Sequence, residues 1–224
     1  MKPNSKSTIR ARKTIALALM TAALAVAGCA TSSYKRGEAA SASLRMAAGE
    51  VQAESRYLDV TLTSLNDLVN KPPVDLRLQY QAFIANLDQL RESAGRNEQA
   101  LRRVGQSNAA YFESWDRDLA AMSFEAVRAR SQERRTEVAT DFDSVNRRYR
   151  ETQTTVQPLL DYFQDIRKAQ GTDLTPAGLE AMKGSVSNVN SNAAKVQTAL
   201  TKLADDLAAM STRMSSVTVQ NPQP

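Results

Sequence analysis

Histidine and cysteine carry much of the side-chain chemistry available to a protein, and both are scarce here: the 224 residues hold no His and a single Cys. Without His there is no Ser-His-Asp or Cys-His pair, no imidazole metal ligand and no side chain that titrates unperturbed near neutrality. One Cys forms neither an internal disulfide nor a Cys-rich zinc site. Carboxylates are the remaining general acid–base groups, and two of them suffice for glycoside cleavage. No Asp or Glu, however, stands in an apolar stretch that would raise its pKa, and sugar-stacking aromatics are few. The chain carries no phosphate loop, calcium loop or dinucleotide fingerprint. These residues predict no catalytic centre, no metal and no cofactor, and leave a carboxylate-dependent hydrolase as the remotest reading.

The single thiol has the most informative surroundings. Lys2, Lys6, Arg10, Arg12 and Lys13 make a basic start, and Thr14–Val26 is an apolar run. That run is too short for a bilayer span of ~20 residues and suits the core of a secretory signal. Val26-Ala27-Gly28-Cys29 follows at once and resembles the bacterial lipobox: an apolar residue, two small ones, then the Cys whose thiol takes a diacylglycerol. The expectation is a signal peptide over residues 1–28 and lipid attachment at Cys29. Ala30 in place of Asp resembles the sorting pattern of outer-membrane lipoproteins, which implies a periplasm-facing anchor.

Charge offers a second candidate site. The formal net charge is +5, but all five excess bases precede residue 14 and the first acid is Glu38. From residue 29 onward 24 bases face 24 acids, so the basic balance predicts export and no nucleic-acid partner. Locally, Arg128, Arg130, Arg134, Arg135, Arg147, Arg148 and Arg150 form a dense run. It reads either as a contact for anionic headgroups or an acidic partner, or as a solvated helix face, since Glu125, Glu133, Glu137, Asp141 and Asp143 are interspersed.

The elements that must position these residues are helical. Twelve aromatics and 15 Gly plus Pro are few for a strand-rich fold. Leu44, Val51, Leu58 and Leu65 recur every seven residues, with Ala48, Leu62 and Val69 beside them, until Pro72-Pro73 ends the pattern. A second stretch interleaves Leu76, Phe83, Leu90, Asn97, Val104 and Tyr111 with Tyr80, Leu87, Ala94, Leu101, Asn108 and Trp115. Its seam residues Asn97 and Asn108 either set register or mark a helix end. The aromatic group Tyr111, Phe112 and Trp115 is read as core in preference to a ligand pocket. Phase is lost from Met122 to Val138, through either a turn capped by Ser123 or an overwound length of one long helix. It returns from Val138 to Ile166, with Pro158 expected to kink the helix. Thr175-Pro176 opens a last helix as N-cap and first residue, with a stripe from Leu179 to Met214.

The predicted fold is all-α: an elongated antiparallel bundle of about four long helices with coiled-coil-like heptad seams. It occupies residues 38–216, after a lipid-anchored tether at 29–37 and before a disordered tail at 217–224.

From about Tyr34 to Met214 the chain resembles a bacterial family of secreted or lipid-anchored helical proteins, domain of unknown function 2959. The resemblance rests on Phe112, Glu113 and Trp115, on Arg148-Tyr149, on Pro158-Leu159-Leu160 with Phe163 and Asp165, and on Leu174, Ala177 and Leu179. It implies a helical, coiled-coil-like protein and assigns no activity. The expected role is a non-enzymatic outer-membrane lipoprotein held to the membrane by the lipid on Cys29. It would serve as a scaffold or adaptor through a protein partner or self-association of its helices. The alternative is an envelope lipid- or glycan-binding module.

Overall fold

The computed structural model describes residues 27–72 and 74–216. The basic and apolar start up to residue 26 and the expected tail from residue 217 lie outside the described residues. Among the described residues four helices follow one another: α1 (Ala27–Asn70), α2 (Leu76–Ala121), α3 (Glu125–Thr172) and α4 (Pro176–Met214). Cross-helix pairs show that each runs against its predecessor. Gly37 meets Tyr111 while Thr61 meets Asn86, so α2 descends as α1 ascends. Trp115 meets Ser131 while Tyr80 meets Arg167. Asp141 meets Arg213 while Arg148 meets Asp206. Ser41 meets Ser211 while Asn66 meets Asn190, which closes the ring between α4 and α1. This up-and-down bundle has a proximal end, with the start of α1, the α2–α3 turn and the end of α4. Its distal end carries the other two turns.

Heptad spacing explains the core. Leu44, Val51, Leu58 and Leu65 of α1 are buried against Phe83, Leu87, Leu90 and Val104 of α2. Val189, Val196, Leu200, Leu203 and Leu207 of α4 face the same interior, with Leu159, Phe163 and Ile166 of α3. α1 is the hub and packs most extensively, on α2 and α4. Near the proximal end its buried face includes the small residues Ala40, Ser41, Ser43, Ala47 and Ala48, which let neighbouring backbones approach.

Caps define the distal turns. Asp75 accepts the N–H of Arg77 at 3.0 Å and also binds its guanidinium, which holds its pKa down at about 2. Thr175 Oγ1 accepts the N–H of Gly178 at 3.1 Å, and Pro176 starts α4, as the sequence predicts.

Two expectations change. The residues expected to tether the bundle, 29–37, have helical backbone that belongs to α1. The segment is tied down by the Tyr34 hydroxyl on Ser216 at 3.0 Å and by Arg36 donating to the Ala110 carbonyl at 3.1 Å. The loss of phase after Met122 is a real break, Met122-Ser123-Phe124, but the N-cap is Phe124 and Ser123 caps nothing. Beyond it α3 is helical through the charged stretch, where no residue is buried before Val138. Ion pairs one turn apart, Glu125–Arg128, Arg130–Glu133 and Arg134–Glu137, support that exposed segment. Phase is lost because the face is solvated. At Pro158, α3 continues as one helix.

Candidate functional site

The proximal end gathers most of the residues singled out above. Antiparallel pairing brings Tyr111, Trp115 and Asp118 from α2 beside Ser33, Tyr34, Gly37 and Glu38 from α1, with Met214 to Ser216 closing the third side. They line an open cleft of about 300 Å³. Its floor is aromatic: Tyr111 and Trp115 ring centroids lie 5.3 Å apart, and Tyr111 also packs at 5.8 Å on Phe112. Burial raises the Tyr111 hydroxyl pKa. The Trp115 indole donates to Ser131 Oγ on α3 at 2.9 Å, which fixes the ring. Ser216 binds the Glu38 carboxyl, through a 3.1 Å backbone bond among others, and holds its pKa below the usual range. The aromatic group thus does two things at once: one side packs into the bundle, the other lines a cleft.

Cys29 lies in the first turns of α1, so its backbone is at this same end.

The arginine run is not a free cationic patch. Arg128, Arg130 and Arg134 pair with Glu125, Glu133 and Glu137. Arg135 grips Asp116 on α2 with two bonds of 2.5 and 2.8 Å and lies 5.0 Å over the Phe112 ring. Arg148 binds Asp206 on α4 at 2.6 Å. Arg147 reaches Ser144 at 3.4 Å, and Arg150 is exposed. Two of the seven therefore fasten helices together, and three are neutralised within their own helix.

Sequence reading missed one carboxyl. Glu54 is only 1% exposed in the interior of α1. Desolvation pushes its pKa up, partly offset by the Asn97 amide, which donates to it at 2.6 Å from α2. Its position three residues after Val51, in phase with Ala47, Thr61 and Leu68, was the available signal. Asn97 and Asn108 are both fully buried within a continuing helix, so neither marks a helix end. Asn97 joins α1 to α2 through Glu54, whereas Asn108 bonds only the Val104 carbonyl of its own helix. Buried this deeply, Glu54 is a polar core layer out of reach of a substrate.

Among the described residues no group of three or more His, Cys, Asp or Glu is placed to hold a metal ion. None of the helices there is long and apolar enough to cross a membrane.

No curated protein and no solved structure matches the chain. The profile of a family described as "Protein of unknown function (DUF2959)" matches residues 36–213. That span runs from Arg36, within the α1 segment over the cleft, to the last turn of α4, and so covers the bundle itself. The chain therefore belongs to the DUF2959 family.

Proposed function

We propose that this protein is a non-enzymatic lipoprotein of the cell envelope, anchored in the outer membrane by acylated Cys29 and facing the periplasm. Its helical bundle serves as a scaffold or adaptor for protein partners. The observation that carries this reading is the order basic segment, apolar run, Val26-Ala27-Gly28-Cys29. Ala30 after the Cys favours the outer membrane. Two or more acyl chains on one residue give long-lived attachment, and a bundle fixed at one end offers long exposed faces to partners. In keeping with a non-catalytic role, Glu54, whose carboxyl pKa burial raises, is sealed in the core.

The test is mass spectrometry of the N-terminal peptide together with fractionation of a Cys29→Ala variant. The expected result is a diacylglyceryl-modified Cys29 in the wild type and loss of the variant from the outer-membrane fraction. A variant that still partitions with outer membranes sinks the anchoring claim.

The cleft favours a second reading, an envelope glycan- or lipid-binding module. Tyr34, Tyr111 and Trp115 stand beside the Glu38 and Asp118 carboxyls, the combination of flat faces and acceptors that a sugar engages. Trp115 is the sole tryptophan, so its fluorescence reports the cleft directly. Saturable change on titration with peptidoglycan fragments supports this reading, and an unchanged signal argues against it.

A further inference from the structure

We infer that the α2–α3 turn is a second membrane contact, in which Phe124 and Val127 enter the phospholipid interface that receives the acyl chains of Cys29. The inference rests on the anchoring reading and adds a geometry to it: the bundle stands end-on, held at two points.

The helix register carries the argument. Gly37 on α1 lies against Tyr111 on α2. Thr61 with Asn86 and Glu54 with Asn97 keep the same antiparallel register over the length of the pair. Counting eight residues back from Gly37 reaches Cys29, and eight onward from Tyr111 reaches Leu119. Cys29 is thus level with Leu119. Trp115 against Ser131 sets the register of α3 on α2, which puts Phe124, the N-cap of α3, level with Met122, about three residues beyond Leu119, or ~4.5 Å at 1.5 Å per residue. Interfacial apolar groups sit ~5–10 Å into the headgroup and acyl boundary, a depth within reach of an exposed ring at that level.

Its composition agrees. Phe124 is 79% and Val127 58% exposed, at a turn where Phe124 holds the N-cap position without a capping side chain. Water is a poor solvent for an aromatic ring placed there. The charges around the turn are balanced: Glu125 pairs with Arg128, Arg130 with Glu133, and Arg135 with Asp116. The contact is therefore apolar and does not require anionic lipid.

The full acylated chain tests this. Acylation consumes the thiol of Cys29, the sole cysteine, so Phe124→Cys provides one free thiol for an environment-sensitive fluorophore. Leu78→Cys, 69% exposed near the distal end, is the control. Both are placed in vesicles of phosphatidylcholine alone and of phosphatidylethanolamine with phosphatidylglycerol, each doped with lipid quenched along its acyl chain. Loss of emission at 124 but not at 78, in both compositions, is expected. Moving the label to Val127→Cys in a Phe124→Asp chain is expected to abolish the loss. Acylated protein whose label at 124 stays in water overturns the contact and leaves the anchor standing. An unmodified Cys29 by mass overturns both. A label shielded before vesicles are added, with a doubled mass in sedimentation, assigns the turn to a second copy and overturns the membrane contact.

Discussion

Ser41 and Ser211 exchange hydrogen bonds across the α1–α4 seam, each hydroxyl donating to the other's backbone carbonyl at 3.0 and 2.9 Å. Both are buried, so the bonds form where water does not compete, and only a side chain this small lets the two backbones come so close. Ser41→Ala is expected to cost about 1 kcal/mol, because it strands buried polar groups. Ser41→Leu overpacks the seam and is expected to cost about 1–3 kcal/mol more. Urea unfolding of the two single Ala variants and the double variant forms a cycle. A coupling near zero would show that the two residues act independently.

Glu54 makes stability depend on pH in a direction opposite to that of most carboxylates. Its pKa is raised in the folded state above the ordinary 4.5 by desolvation. The folded protein therefore holds its proton more tightly than the unfolded chain does, and stability falls as pH climbs from about that value through the folded pKa. Glu54→Gln removes the charge and keeps the acceptor for Asn97. It is expected to raise the melting temperature at neutral pH and to lose that advantage in acid. Asn97→Ala leaves the carboxyl without its partner and is expected to cost about 1–3 kcal/mol. The double change to Leu at both positions is expected to be neutral or stabilising. Thermal scans across pH 4 to 8 check all three.

Glycines divide by surroundings. An added Cβ at Gly95, Gly105 or Gly184 meets nothing within 4 Å. All three lie inside helices, so Gly→Ala there is expected to stabilise by about 0.5–1 kcal/mol. At Gly178 the same Cβ would lie 2.4 Å from the Asp173 carbonyl oxygen. Gly178→Ala must therefore open the α3–α4 turn and is expected to destabilise. Denaturant midpoints of the four variants test the split, and a stabilised Gly178→Ala would contradict the packing of that turn.

Among the arginines, Arg135 and Arg130 are expected to behave differently. The Arg135 side chain is 23% exposed, doubly bonded to Asp116 and stacked on Phe112. Arg135→Lys keeps the charge and loses the fork and the stack, at an expected cost of about 1 kcal/mol. The Arg130 side chain is 84% exposed, and Arg130→Ala is expected to change stability by less than about 0.5 kcal/mol. Equal effects would mean that the grip on α2 contributes nothing.

How much of this was legible follows from what a periodic pattern encodes. The seams of α2 and α4 keep their phase throughout, although Asn97 and Asn108 stand in that of α2, so the helices were readable from spacing and the Thr175-Pro176 start from residue type. The second seam of α1 was not, because Glu54 and Thr61 occupy core positions that composition assigns to solvent. The first half of α3 was ambiguous for the converse reason. A helical stretch with no buried residue before Val138 has no apolar period to show, and only its ion pairs one turn apart mark it. The cleft depends on which residues α1, α2 and α4 bring to one end, and pairing across more than 170 residues, as between Tyr34 and Ser216, leaves no local trace.

The shared register of the four helices has a consequence for size. Every seam repeats every seven residues, so removing one heptad at matching levels from all four helices would shorten the bundle by ~10 Å and leave both ends chemically intact. α2, at 46 residues, already measures ~69 Å. Val74 and Leu78 stand exposed near the distal end. Under the proposed anchoring through Cys29, the number of heptads would act as a ruler, fixing how far from the membrane the distal turns are held.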